Sequence, residues 1–326
     1  MSPAHRPPSA DDGTNVRIPA ALRAAFGLLG RLAPSLAAGI AERLFFTPPP
    51  ARRSRGEALL REAEFFRVSV DGRDVAAWRW GRGPAVGLVH GWGGRAAQLT
   101  SFVPPLLARG FSVVALDAPG HGSSGRGLSS APQFARALRR VAEANGGLHG
   151  VVAHSLGAAA TALALRDGLR VARVVFLGAA ADPPSWVLPF SARLGLPVDV
   201  VDRVRERSER RLGLRWRDLH VPTLAVEFEA PALVVHDRDD AEVPFEDAAA
   251  IVAAWPDAKL VETAGLGHNG LLRDPDVVAL AAGFLSDGVV TACACGRPAL
   301  DDGGCEACRF ERELFDRELR WARGAA

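Results

Sequence analysis

Residues 148–157 read Leu-His-Gly-Val-Val-Ala-His-Ser-Leu-Gly, with the serine at 155. An apolar run ends at Ser155, between Ala153 and Gly157, and an alanine-rich stretch follows. This predicts a buried strand, a sharp turn and a helix, with the Ser155 hydroxyl lifted into solvent at the turn. A serine alone is a poor nucleophile near neutral pH. It needs a base, a group that orients the base, and donors for an oxyanion. His268 and the aspartates at 237, 239 and 240 are candidates for the first two.

On both sides of this turn strand-like and helical runs alternate. AVGLVH at 85–90, FSVVALD at 111–117, LHGVVAH at 148–154, VARVVFLG at 171–178, ALVVHD at 232–237 and AKLVET at 258–263 read as strands. Residues 132–144, 156–166, 245–254 and 275–285 read as helices. The expected class is α/β, with a mostly parallel central sheet and helices on both faces. FFRVSV at 65–70 and VAAWRW at 75–80 flank Asp71-Gly72, which reads as a hairpin turn. Residues 181–230 are too many for an ordinary connection and are expected to form a helical cap insertion over the site. Asp202, Glu206 and Arg210 there are spaced for i,i+4 pairing on a helix over Asp199–Arg211. Trp186, Leu188, Phe190, Leu194, Leu196 and Trp216 either line a pocket beneath the cap or form its own small core.

The chain has 326 residues, 48% of them hydrophobic, and a net charge of +2. One large domain with extensions fits, and such a core needs no disulfide support. No basic stripe interleaved with aromatics appears, so no nucleic-acid partner is expected. Residues 1–17 are polar and proline-rich, expected to be disordered, and lack the features of a secretory signal. Residues 18–63 form an N-terminal helical extension. Leu22, Phe26, Leu29 and Ala33 recur at helical spacing, as do Leu36, Ile40 and Leu44, with Pro34 between the two sets. These helices either pack on the domain behind them or lie on a membrane surface. No uninterrupted apolar run approaches the ~20 residues that span a bilayer, so a cytoplasmic protein is expected.

Four motifs fall at expected carboxyl ends of strands, where open α/β sheets bind ligands. They are His90-Gly91-Trp92-Gly93-Gly94, Asp117-Ala-Pro-Gly-His-Gly-Ser-Ser124, the serine turn, and His236-Asp-Arg-Asp-Asp-Ala-Glu-Val-Pro244 with Gly265-Leu-Gly-His268. The glycines after His90 let a backbone N–H approach a ligand, and Trp92 is the candidate donor. In this order the motifs resemble the α/β-hydrolase superfamily, serine hydrolases of esterase type, from about Phe65 to about Leu285 of a domain over 64–288. Ala153 stands where that family favours glycine.

The resemblance implies Ser155 as nucleophile, His268 as base and Asp240, just before x-x-Val-Pro, as acid. Asp239 and Asp237 remain alternatives. It implies an oxyanion hole from the N–H groups of Trp92 and Leu156, with His90, Gly91, His154 and Trp186 close to substrate. His90, His121, His154, His236 and Asp117 are expected to hydrogen-bond around the site without titrating in the reaction. The implied activity is cleavage of a small-molecule carboxylic ester through an acyl-enzyme, with no cofactor for catalysis. C–C hydrolysis or cofactor-free peroxidation on the same triad, and a non-catalytic binding protein, are the alternatives.

All four cysteines lie in the tail, 289–326, as Cys293-x-Cys295-x9-Cys305-x2-Cys308. The spacing resembles a small zinc ribbon and suits a structural zinc site, or iron in a similar cage. Disulfides and free thiols are the other readings. Phe310, Leu314 and Trp321 recur on one helical face that could dock the tail on the domain or on a protein partner.

Overall fold

The computed structural model describes residues 18–50 and 56–287. The segments 1–17 and 289–326, the cysteine tail included, lie outside the described residues.

Asp71 and Gly72 take φ of 52° and 73°, the positive pair that a two-residue hairpin turn demands. The turn joins β1 (Glu64–Val70) and β2 (Arg73–Trp80) in an antiparallel pair. β2 then pairs antiparallel with β4 (Ser112–Leu116). From there the ladder is parallel: β4 with β3 (Ala85–Val89), β3 with β5 (Gly150–His154), then β6 (Arg173–Leu177), β7 (Ala232–Asp237) and β8 (Ala258–Thr263). The eight-stranded sheet runs β1-β2-β4-β3-β5-β6-β7-β8. β3, β4 and β5 are buried on both faces, as their continuous apolar runs require.

Alternate residues of each strand feed opposite layers. On one face Val151, Ala153 and Phe176 meet Phe134 and Leu138 of α3 (Ala131–Ala144), Leu163 of α4 (Leu156–Arg166) and Ile251 of α7 (Phe245–Ala254). On the other, Val152, Val175 and Leu177 meet Leu99, Phe102 and Leu106 and Leu285 of α8 (Pro275–Ser286). The crossover helices thus cover both faces, and the parallel strand ends converge at one rim.

Two N-terminal helices form on either side of the Ala33–Pro34 junction, as the spacing predicts, but the second packs through a different face. α1 (Ala20–Leu32) and α2 (Pro34–Phe45) share an apolar cluster with α5 (Val187–Leu194) and α6 (Val198–Leu212) of the long insertion. The buried face of α2 is Ala37, Ala38 and Ala41, whereas Leu36 and Leu44 are exposed. Small side chains let the helices approach closely. A β-carbon on Gly30 would come within 2.4 Å of Pro197. Glu42, buried in this layer, accepts from Arg207 (3.1 Å) and Arg211 (2.7 Å). Phe190, Leu194, Leu196 and Trp216 pack in the same cluster, so they form a core shared with α1 and α2. Leu188 is exposed and Trp186 half-buried. No helix among the described residues is long and apolar enough to cross a membrane.

Candidate active site

The β5–α4 turn is built around Ser155. Its φ of 53° and ψ of −122° put a non-glycine residue in strained backbone space, the sharp turn that lifts a side chain off a strand end. The Ser155 N–H donates to Leu177 O (3.0 Å), which ties the turn to β6. The flanking glycines leave no room for a side chain. A β-carbon on Gly157 would stand 2.6 Å from His90 O, and one on Gly91 would stand 2.8 Å from Ser155 Cβ. Ala153 is buried in the sheet without displacing it.

His268 stands after β8, with Nδ1–H donating to Asp240 Oδ2 at 2.7 Å. That bond assigns the proton to Nδ1 and leaves Nε2 with a lone pair. Asp240 Oδ1 accepts from the N–H groups of Glu242 (2.8 Å) and Val243 (2.9 Å). Of the three candidate acids, Asp240 is the one that meets His268. Asp237 instead accepts from the Thr263 hydroxyl, Asp239 N and Leu266 N, and Asp239 accepts from Gly265 N. Burial alone would raise the Asp237 carboxyl, but these hydrogen bonds outweigh it and hold the group below its ordinary range. Among the described residues, no hydrogen bond joins the Ser155 hydroxyl to His268. His154, which precedes Ser155, contacts His268: its ring lies 4.4 Å from that of His268 and its Nε2–H donates to His268 O (3.1 Å).

The loop after β3 is pinned by buried histidines. His90 Nδ1–H donates to Gly91 O (2.7 Å) and its Nε2 accepts from Ala118 N (3.0 Å). His121 Nε2 accepts from Gly93 N (3.1 Å), and its Nδ1–H donates to Pro119 O. Burial drives His90 down to about 4 and His121, beside it, to about 3, so both stay neutral with defined tautomers. Asp117 accepts from Ala96 N (2.7 Å) and Ser123 N (2.6 Å) and braces both loops. Both ring nitrogens of His90 are thus bonded within the protein, the bracing place expected of it. His154 is likewise buried, and burial lowers it well below the usual histidine range. Trp186 has no hydrogen bond or ring contact with Ser155, Asp240 or His268 among the described residues, whereas Gly91 lies against Ser155.

A family model described as alpha/beta hydrolase fold matches residues 84–226, and one described as TAP-like protein matches 217–295. The chain is 29% identical over 266 residues to a non-heme haloperoxidase of Rhodococcus erythropolis, spanning 65% of this chain and 96% of that protein. It is 28% identical over 229 residues to a 2-hydroxy-6-oxononadienedioate/2-hydroxy-6-oxononatrienedioate hydrolase of Dechloromonas aromatica, spanning 56% of this chain and 79% of that protein. The solved structure of an esterase from Rhodococcus sp. superposes with a TM-score of 0.51 at 19% identity, covering 69% of this chain and 98% of that one. The chain has the α/β-hydrolase fold.

Three residues of this site, Gly178, Glu242 and Asn269, escape a sequence reading centred on motifs, whereas His236 has the bracing place expected of it. Gly178 ends β6 with φ of 52°, and a β-carbon on it would meet His268 Nδ1 at 3.0 Å. His236 Nε2 lies 3.4 Å from Asp240 Oδ2 and donates to Val243 O, so it buttresses the acid. Glu242 Oε2 stands 3.9 Å from His268 Nε2, and Asn269 Nδ2 donates to Glu242 Oε1 (3.0 Å). The positive φ of Gly178 has no signal beyond a glycine at a strand end. Glu242 lies inside the Asp-x-x-Val-Pro motif, where it reads as a spacer.

Proposed function

We propose that this chain is a serine hydrolase that cleaves a carboxylic ester or related acyl bond through Ser155, His268 and Asp240. One observation carries the reading: the Asp240–His268 hydrogen bond leaves a basic Nε2 at the same rim as the strained Ser155 turn. His268 Nε2 would take the Ser155 proton as Oγ attacks the carbonyl, then give it to the leaving group. Asp240 would hold the ring and stabilise the imidazolium. The N–H groups of Trp92 and Leu156, which donate to no other described residue, would receive the oxyanion. Water then hydrolyses the acyl-enzyme. Catalytic hydrogen bonds are often long before substrate binds, so Ser155 and His268 would close on each other in the complex. The relatives named for haloperoxidase and C–C bond chemistry suit the same three residues, and substrate assays separate the outcomes.

A fluorophosphonate probe tests the reading. The expected result is labelling of the native chain and none of Ser155→Ala. A native chain that stays unlabelled and turns over no p-nitrophenyl ester of any chain length would instead be a binding protein. Within the same proposal, α5 and α6 with α1 and α2 form the cap. The exposed Leu28, Leu32 and Leu36, beside Arg31, favour a membrane surface as its contact. Flotation with anionic vesicles checks that contact, and protein left in the dense fraction would refute it. Cys293, Cys295, Cys305 and Cys308 are proposed to hold one structural zinc, since four thiolates leave no open position for chemistry. Elemental analysis should find about one zinc per chain, lost on Cys305→Ser.

A further inference from the structure

We propose that Glu242 sets the charge preference of this site. It favours esters that are neutral or cationic around the reacting carbonyl and turns away those that carry a carboxylate there. The inference rests on the hydrolase reading of Ser155 and His268.

The geometry is specific to this side chain. Its own N–H donates to Asp240 Oδ1, so the residue is anchored to the group that orients the base. Asn269 Nδ2 holds Oε1 at 3.0 Å, and this leaves Oε2 facing His268 Nε2 at 3.9 Å. Nε2 is the atom that must meet both the Ser155 proton and the leaving group, so the carboxylate borders the space where the ester sits. The Glu242 side chain is 45% exposed, at the rim and open to an incoming molecule. Among the described residues no arginine or lysine pairs with it. The arginine nearest in sequence, Arg238, is engaged by Glu262 and packs over Phe245. Asp239, close by in the loop, adds charge of the same sign. An uncompensated anion near the reacting atoms repels a second anion and attracts a cation. The imidazolium formed during acyl transfer would gain from the same carboxylate.

Three p-nitrophenyl esters of matched length test this: the hexanoate, the monoester of adipic acid, and the ester of 5-(trimethylammonio)pentanoic acid. The full chain and Glu242→Gln are assayed at low and high ionic strength. The native chain should favour hexanoate over the adipate ester by about tenfold in kcat/KM, the size expected of one like-charge contact at the rim. Glu242→Gln should cut that gap to about twofold and weaken any preference for the cationic ester. High salt should shrink the gap for the native chain but not for the variant. The same ratio in both proteins, or an equal loss by the variant on all three esters, overturns the assignment and leaves the hydrolase reading intact. A native chain that hydrolyses none of the three and takes up no fluorophosphonate overturns both.

Discussion

Gly157 accepts no side chain, because Val89 O and His90 O both stand within 2.7 Å of where a β-carbon would go. Both are backbone atoms at the end of the central strand, so neither can swing aside. Gly157→Ala should therefore cost about 1–3 kcal/mol in a urea titration and disturb the turn that holds Ser155. Neighbouring aspartates should separate by what they touch. Asp240→Asn removes the acceptor that fixes the His268 tautomer and should lower kcat by roughly 10³–10⁴ with little loss of stability. Asp237→Asn breaks the charge-assisted bonds of the loop after β7. It should instead cost about 1–3 kcal/mol and leave much of kcat in place. Equal effects on kcat would sink that division of labour. The histidines under the β3 loop give the site an acid limit. His90 is held neutral when folded, near 4, but titrates near 6.5 when unfolded. Below pH 6.5 the unfolded chain takes up a proton that the folded chain refuses, so stability present above that pH is lost as it falls toward 4. For His90 alone the loss amounts to about 3 kcal/mol. Urea midpoints should drop between pH 7 and pH 4.5, and less steeply in His90→Asn despite its lower starting stability.

At the scale of elements, local pattern carries most of the reading. The strands from 85 onward were legible because a strand buried on both faces must be apolar throughout, and such runs are short and contiguous. The hairpin was legible because Asp-Gly suits the two positive φ angles of its turn. Ser155 and His268 were legible for a similar reason: crowding dictates Gly157 beside the serine, and positive φ of 80° and 61° favours glycine at 265 and 267 before the histidine. The partner of α2 was not. Leucine spacing marks Leu36, Ile40 and Leu44 as the apolar stripe, yet helix packing here is limited by how closely two backbones approach. Alanines 37, 38 and 41 win that contest against α6. Glu42 was equally hidden, since its arginine partners lie far along the chain in an insertion of unknown direction. Its two ion pairs are half-shielded, with Arg207 and Arg211 43% and 30% exposed. Glu42→Ala should cost about 1–2 kcal/mol, less than a fully buried pair would, because the freed guanidinium groups can turn to solvent. Glu242 was illegible on the same grounds, because its direction depends on the path of the loop between β7 and α7.

The whole molecule divides into a sheet with its two helical layers and an outer layer of α1, α2, α5 and α6. The outer layer has its own apolar cluster, smaller than either core beneath it. It is tied to the site rim by the segment after α2. Phe46 O accepts from Ser129 N, and Pro49 lies where a β-carbon on Gly93 would meet it at 2.8 Å. Two parts of the chain separated by most of the sheet thus make one body above the strand ends. A unit with a small core and a single buried carboxylate should open as a unit, at a lower free energy than the sheet. Hydrogen exchange read by mass spectrometry tests this. Amides of β3, β5 and β6 should be the slowest in the chain, and those of α1, α2, α5 and α6 should exchange faster and in concert. Glu42→Ala should speed the four helices together and leave the three strands unchanged, because its arginine partners are both on α6. Acceleration confined to α2 would mean that the helices are independent attachments. Acceleration that reached β5 would mean that the outer layer is part of the sheet's own cooperative core.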